Sequence, residues 1–112
     1  MVIEEYVQED GACPFRSWFD GLDAQAATKV ATAMLRMELG NTSNIKWIGG
    51  SLGEYRIDWG PGYRLYLTQD GNDLIVLFAG GTKKRQQADI DRASDLLAEY
   101  KARKAAQKKA KR

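Results

Sequence analysis

The spacing of apolar side chains along the chain switches between a period of two and a helical period. Residues 2–8 alternate loosely and carry β-branched and aromatic side chains until Glu9-Asp10-Gly11 interrupts them, which predicts a strand and a turn. Pro14 suits the opening turn of a helix, and Phe15, Trp18, Phe19 and Leu22 then fall at i, i+3, i+4 and i+7 on one face. At that spacing the aromatic stripe reads as core, not as a stacking platform. Asp23 is placed to cap a second helix over residues 24–39, with Ala27, Val30, Ala31, Met34 and Leu35 on its buried side and Gly40-Asn41 as its stop. The short link between the two predicts an αα-hairpin, on which Arg16, Lys29 and Arg36 read as solvent-facing charges.

From Lys46 the period returns to two. Tyr55, Ile57 and Trp59 alternate with Glu54, Arg56 and Asp58, and after Gly60-Pro61-Gly62 the residues Tyr63, Leu65 and Leu67 alternate with Arg64, Tyr66 and Thr68. A third strand is expected over residues 73–79, behind an Asp70-Gly71 pair that signals a two-residue hairpin loop. Opposed residues of an antiparallel pair share a face. A three-residue loop at 60–62 therefore sets Trp59 against Tyr63, Ile57 against Leu65 and Tyr55 against Leu67, with Asp58 facing Arg64 and Arg56 facing Tyr66 on the second side. The two-residue loop at 70–71 continues the apolar face as Leu67 with Leu74, Leu65 with Val76 and Tyr63 with Phe78. The helical hairpin covers that face. A last helix, beginning near Lys84 or Gln87 and presenting Ile90, Ala93, Leu96, Leu97 and Tyr100, covers part of the other. The expected class is α+β, an N-terminal αα-hairpin packed on an antiparallel sheet with a C-terminal helix.

At 112 residues, 44% hydrophobic and 29% charged, the chain suits one globular domain. No apolar run reaches the roughly 20 residues of a membrane span and the N-terminus lacks the order of a signal peptide, so a cytoplasmic protein is expected. There is no histidine, which removes Ser-His-Asp and Cys-His hydrolases and most His-ligated metal enzymes. Cys13 is the single cysteine, without a disulfide partner or an activating imidazole. No cofactor and no metal site is expected, and any chemistry falls to carboxylates, Lys, Arg or Tyr. The net charge of +2 conceals an asymmetry: residues 1–100 hold 15 acidic and 10 basic side chains, whereas Lys101, Arg103, Lys104, Lys108, Lys109, Lys111 and Arg112 are unopposed by acid. This end reads equally as an arm for nucleic acid or as a solvated helix end. We divide the chain into a domain of residues 1–102 and a basic tail of residues 103–112, whose removal should spare the fold because it holds no large apolar side chain.

Arg56 and Arg64 on adjacent strands, Tyr66 near them, and Lys83, Lys84 and Arg85 after the third strand outline a phosphate site. Gly80-Gly81 lets backbone approach a ligand there, and the start of the last helix offers N–H groups to an anion. The same arginines also suit plain ion pairs with Glu54 and Asp58 on a solvated sheet face. Cleavage of RNA requires that a 2′-OH lose its proton, that the charged phosphorus centre be stabilised, and that the leaving 5′ oxygen gain a proton. Arg56 and Arg64 suit the second task, Asp58 that of a base, Lys83 that of an acid or base, and Tyr66 that of an orienting donor.

The segments Glu54-Tyr55-Arg56-Ile57-Asp58, Gly60-Pro61-Gly62-Tyr63-Arg64-Leu65-Tyr66, and Gly80-Gly81 with Lys83, Gln86, Asp89 and Ile90 together resemble the phage-derived, HigB-like addiction-module killer branch of the RelE/ParE toxins. Gly40-Asn41, Lys46 and Gly50 fit as well, so the likeness spans roughly residues 3–98. It implies a RelE-like fold and the toxin of a type II toxin–antitoxin system, an mRNA interferase cutting mRNA in the ribosomal A site and neutralised by a helix-turn-helix, HigA-like antitoxin. It also implies that Arg56, Arg64 and Lys83 belong to the active face. Lys46, Lys84, Arg85, Arg103 and Lys104 are the expected contacts to mRNA and to the rRNA of the ribosome, and no membrane partner is expected. Two positions depart from the pattern: Asp89 stands near the place of a C-terminal Tyr or His, and Thr82 replaces an acidic residue before Lys83. The alternatives are a ParE-like DNA gyrase inhibitor, disfavoured by the basic cluster, and a non-enzymatic nucleic-acid-binding module drawing affinity from the tail.

Overall fold

A computed structural model describes residues 1–110, so Lys111 and Arg112 of the expected basic tail lie outside the described residues. Among the described residues the order is β1 (Val2–Glu5), α1 (Pro14–Asp20), α2 (Ala24–Glu38), β2 (Ile45–Gly49), β3 (Leu52–Ile57), β4 (Tyr63–Asp70), β5 (Leu74–Thr82), a 3-10 turn (Lys83–Arg85) and α3 (Gln86–Ala110). The class is α+β with a C-terminal helix. Pro14 opens α1, and the Asp23 side chain accepts a 2.8 Å hydrogen bond from the Ala26 N–H, satisfying one of the donors left unpaired at the start of α2.

The sheet runs β1-β5-β4-β3-β2 and is mixed, which corrects the antiparallel expectation. The chain begins with a strand, and β1 lies parallel to β5, Val2 beside Leu74 and Glu5 beside Leu77. A parallel neighbour requires a long crossover, and α1, α2 and the three strands between supply it. The pairing is non-local, so periodicity within either segment carries no sign of it.

Both hairpin registers differ from those the alternation predicts. Between β3 and β4 the pairs are Ile57 with Tyr63, Arg56 with Arg64, Tyr55 with Leu65 and Glu54 with Tyr66. The connection is five residues long, 58–62, with Gly60 and Gly62 in the left-handed region at φ 58° and 77°. A slip of two residues preserves the faces but removes Asp58 from its expected place opposite Arg64. Between β4 and β5 the loop holds three residues instead of two, so Asp70 pairs with Leu74 and Leu67 with Leu77. One extra loop residue exchanges the faces: Ile75 and Leu77 join Leu65 and Leu67, while Val76 and Phe78 turn to the other side. A bulge then leaves Phe78 between Leu77, paired with Leu67, and Ala79, paired with Tyr66.

Each face of the sheet has its own core. On one, Phe15, Val30, Ala33 and Met37 of α1 and α2 pack against Tyr55, Leu65, Leu67, Ile75 and Leu77. On the other, Ala93, Leu96 and Leu97 of α3 cover Leu52, Tyr66, Val76, Phe78 and Ala79, with Tyr6 at the margin. Because β5 is buried on both sides, its sequence reads as an apolar run whichever register it adopts. No helix is long and apolar enough to cross a membrane among the described residues.

Candidate functional site

At one corner of the sheet β3 outruns β2. Pairing between them ends at Ile45 with Tyr55, so Arg56 and Ile57 have no neighbour on that side. Arg56 is exposed there. Its Nε donates to Glu54 Oε1 at 2.7 Å, the contact that chiefly raises the pKa of its guanidinium, and Asp58 reinforces the shift. Glu54 itself is 1% exposed. Its other oxygen accepts from Gln86 Nε2 at 2.9 Å and faces Arg64 Nε at 3.6 Å. A buried carboxylate persists only when paired and hydrogen-bonded, and here two guanidinium groups and an amide converge on one.

Arg64 is 6% exposed, so it is a buried cation rather than a half-solvated one. Its Nε lies beyond hydrogen-bond reach of Glu54 and has no other partner among the described residues. The Arg64 fork and Lys83 meet at Gly62: the Gly62 carbonyl accepts from Arg64 Nη1 at 3.5 Å and from the Lys83 backbone N–H at 2.8 Å. A side chain at Gly62 would lie 3.6 Å from Lys83 Cβ and 3.7 Å from Arg64 Nη1. The 58–62 loop thus joins the end of β5 to the start of β4. Arg56, Arg64 and Lys83 come together around Glu54 and Gly62, with the Lys83 side chain in solvent and Lys84 and Arg85 following it in the 3-10 turn. Lys46 pairs with Glu54 across β2 and β3 and is exposed on the same side.

Other expected members stand apart. Tyr66 is fully buried in the α3-side core, its hydroxyl without a partner among the described residues, and burial, then the carboxylates of Glu54 and Asp89, push its pKa well above the usual phenol value. Asp58 is exposed in the loop and shares with Arg56 a cleft on the α2 side. Arg103 and Lys104 lie far from the cluster, and the boundary between residues 102 and 103 falls inside α3, which runs unbroken through it. Arg103 donates to the Val7 carbonyl at 2.7 Å and to the Tyr6 hydroxyl at 3.3 Å, and Lys104 is bonded to Asp70. These two charges hold α3 to the body.

Gly80 and Gly81 serve a different purpose from the one the sequence suggests. They lie inside β5, paired with Leu65 and Arg64. A Cβ on Gly80 would come within 2.2 Å of the Trp18 ring, and one on Gly81 within 1.8 Å of Asp89 Oδ2. The missing side chains admit a protein ring and a protein carboxylate, not a ligand. Asp89 occupies the first turn of α3, where an anion was expected to dock. Burial raises its pKa, opposed by Arg85 and Arg92, and its Oδ2 has no hydrogen-bond partner among the described residues. A cavity of about 300 Å³ between α1 and the start of α3 is bounded by Trp18, Gly81, Thr82, Arg85, Asp89 and Arg92.

Glu54 and Gln86 are the residues whose importance the sequence left unread. The available signal was an acid two residues before Arg56 and so on the same strand face. No group of three or more Cys, Asp or Glu converges in metal-binding fashion among the described residues.

No protein-family profile matches the chain. A Haemophilus influenzae protein described as an uncharacterized protein is 37% identical over 86 residues, which cover 76% of this chain and 87% of that protein. The chain belongs to the same family as this Haemophilus protein.

Proposed function

We propose that the chain is the toxin of a type II toxin–antitoxin system, a HigB-like member of the RelE/ParE superfamily that cuts mRNA on the ribosome. In this reading α1 and α2 are the N-terminal αα-hairpin of a RelE-like fold, and the partners are the ribosome with its mRNA and a helix-turn-helix antitoxin. The observation that carries it is the convergence of Arg56 and Arg64 on the buried Glu54, at a corner to which the Lys83 backbone is tied through the Gly62 carbonyl. Cations held by a buried carboxylate are oriented before substrate arrives, so little reorganisation accompanies the reaction.

The chemistry is attack of an RNA 2′-oxygen on the neighbouring phosphorus. Asp58 takes the 2′-OH proton, Arg56 and the Arg64 fork stabilise the charge that builds on the phosphoryl oxygens, and Lys83 supplies a proton to the departing 5′ oxygen. Tyr66 takes no part in proton transfer in this scheme. It lies buried in the α3-side core.

Burial of Arg64 favours a second reading, in which the cluster is structural and the chain is a ParE-like gyrase inhibitor that acts by binding. Induced expression separates the two. The endonuclease yields new 5′ ends inside ribosome-bound transcripts with intact chromosomal DNA, and the inhibitor yields DNA double-strand breaks with intact transcripts.

A further inference from the structure

Lys29 and Arg36 of α2 read in the sequence as ordinary surface charges, and the fold gives them a common setting. They are seven residues apart, so they lie on one helical face about 10 Å apart along the axis. Both are exposed, and neither pairs with a carboxylate among the described residues. That face of α2 forms one wall of a cleft of about 320 Å³, and the unpaired end of β3 with its loop, from Arg56 to Trp59, forms the other. A second, more open hollow of about 420 Å³ continues it past Gln25 and shares Thr28, Lys29 and Trp59 with it. The two form one groove that begins beside Arg56.

Two cations, Lys29 and Arg36, and one carboxylate, Asp58, line this groove, and Arg56, whose guanidinium is bonded to Glu54, stands at its end. An aromatic surface is present as well. The Trp59 indole stacks on Tyr63 with centroids 6.1 Å apart and an interplanar angle of 22°, which fixes the ring, and Lys29 Nζ lies 5.8 Å from its centroid. A rigid ring among cations that track a backbone is the combination that binds single-stranded nucleic acid, through base stacking and phosphate contacts. An acidic protein segment would satisfy the cations but leave the flat ring without its natural partner. A duplex keeps its bases stacked inside and presents none to the ring.

We propose that the groove between α2 and the β3–β4 loop binds single-stranded RNA, with a base against Trp59 and phosphates on Lys29 and Arg36, and leads the strand to Arg56. The inference rests on the endonuclease reading only for the choice of RNA as the strand that arrives there.

The test is fluorescence anisotropy with a fluorescein-labelled, fully 2′-O-methylated RNA oligonucleotide, which binds but cannot be cut, titrated at several salt concentrations. Wild-type protein binds it, and Lys29→Ala/Arg36→Ala binds more weakly with a log Kd against log salt slope smaller by about 1.4, or roughly 0.7 for each lost single-strand phosphate contact. Trp59→Ala weakens binding about 10-fold at constant slope, the effect of losing one stacked base. Trp59→Phe recovers part of it and guards against a folding defect. Wild-type affinity and slope in the double variant would overturn the proposal, as would displacement of the RNA by polyglutamate at equal charge concentration. Cleavage on ribosomes is scored separately. Binding that depends on Lys29 and Arg36 without any cleavage leaves the groove standing and removes the endonuclease; cleavage with binding indifferent to both residues does the reverse.

Discussion

Glu54 and Arg64, on neighbouring strands and both almost inaccessible to solvent, face each other at 3.6 Å across the sheet beneath the start of α3. Removing Glu54 strands Arg64 as a buried charge, a loss that costs about 3–5 kcal/mol, whereas removing Arg64 leaves Glu54 with Arg56 and Gln86. Glu54→Ala should lose stability on that scale in urea unfolding, Arg64→Ala less, about 1–3 kcal/mol, because Glu54 keeps Arg56 and Gln86, and Glu54→Gln, which can still accept hydrogen bonds, should also lose less. A change below about 1 kcal/mol in either alanine variant would mean that the pair is solvated. The same burial revises what alternation alone suggests, a half-exposed pair of little energetic weight.

The C-terminal half of α3 is tied down by charge rather than by apolar contact. Arg103 reaches the Val7 carbonyl, and Lys104 reaches Asp70 beside the Tyr100 hydroxyl, whose pKa burial and then Asp70 push up to about 12. Ending the chain after Ala102 should therefore lower stability by about 1–2 kcal/mol, the sum of two partly exposed charged contacts. Ending it after Lys104 should leave stability within about 0.5 kcal/mol of the intact chain. Equal stability of the two truncated proteins would contradict the clamp.

Lys104, and after it Tyr100, hold the Asp70 carboxyl below its ordinary value of 3.8. A group whose folded pKa is depressed contributes stability that is present above the unfolded value and is lost as pH falls through the folded one. Lys104→Ala should thus destabilise the protein at about pH 6, and the effect should fade as pH drops below the unfolded value of Asp70 toward its depressed folded one. Chemical denaturation across that range reads the difference directly. A Lys104→Ala cost that does not change with pH would show that the ion pair is not its source.

Gly80 is a packing residue, since its hydrogen stands where any side chain would enter the Trp18 ring. Gly80→Ala should cost at least about 1–3 kcal/mol by overpacking. Adding Trp18→Leu, which clears the ring, should recover part of that loss even though the leucine alone destabilises. Thermal unfolding of the two single variants and the double variant measures the coupling, and strict additivity would rule out the contact.

The helix positions were legible because their signals are local, the Pro14 start, the Asp23 cap and the aromatic stripe of α1 each acting within a turn or two, but α2 buries Ala26, Val30, Ala33 and Met37 and leaves Ala31 and Leu35, expected inside, exposed. The parallel pairing of β1 with β5 was hidden, as it joins segments seventy residues apart through no shared pattern. The register of β4 against β5 misled for a different reason. Asp70-Gly71 is a strong two-residue turn signal, yet Asp70 stays in β4 and the loop runs over 71–73, and with both strands buried on both faces nothing in their alternation penalises the other choice. Within the site, Arg56, Arg64 and Lys83 were chosen by residue type and come together in space. Asp58 and Tyr66 were chosen from a register two residues out, and for that reason they fall to one side of the cluster and behind it. Glu54 was weighed only as a neutralising neighbour, because depth in the sheet, which gives it weight, depends on where α3 packs.

Of the three clustered cations Arg56 offers the cleanest probe of catalysis, being exposed while Glu54 retains Arg64 and Gln86 in its absence. The decisive measurement is the single-turnover rate at which purified protein cuts mRNA positioned on ribosomes, compared between wild type and Arg56→Ala after unfolding curves have confirmed that both are folded. The account predicts cleavage by the wild-type protein and a 10²- to 10³-fold slower rate for the variant, about 2.7–4 kcal/mol of lost transition-state stabilisation. Arg56→Lys should fall between them, keeping the charge without the planar fork. A folded Arg56→Ala protein that cuts at the wild-type rate, or a wild-type protein that cuts no mRNA on ribosomes at all, would contradict it.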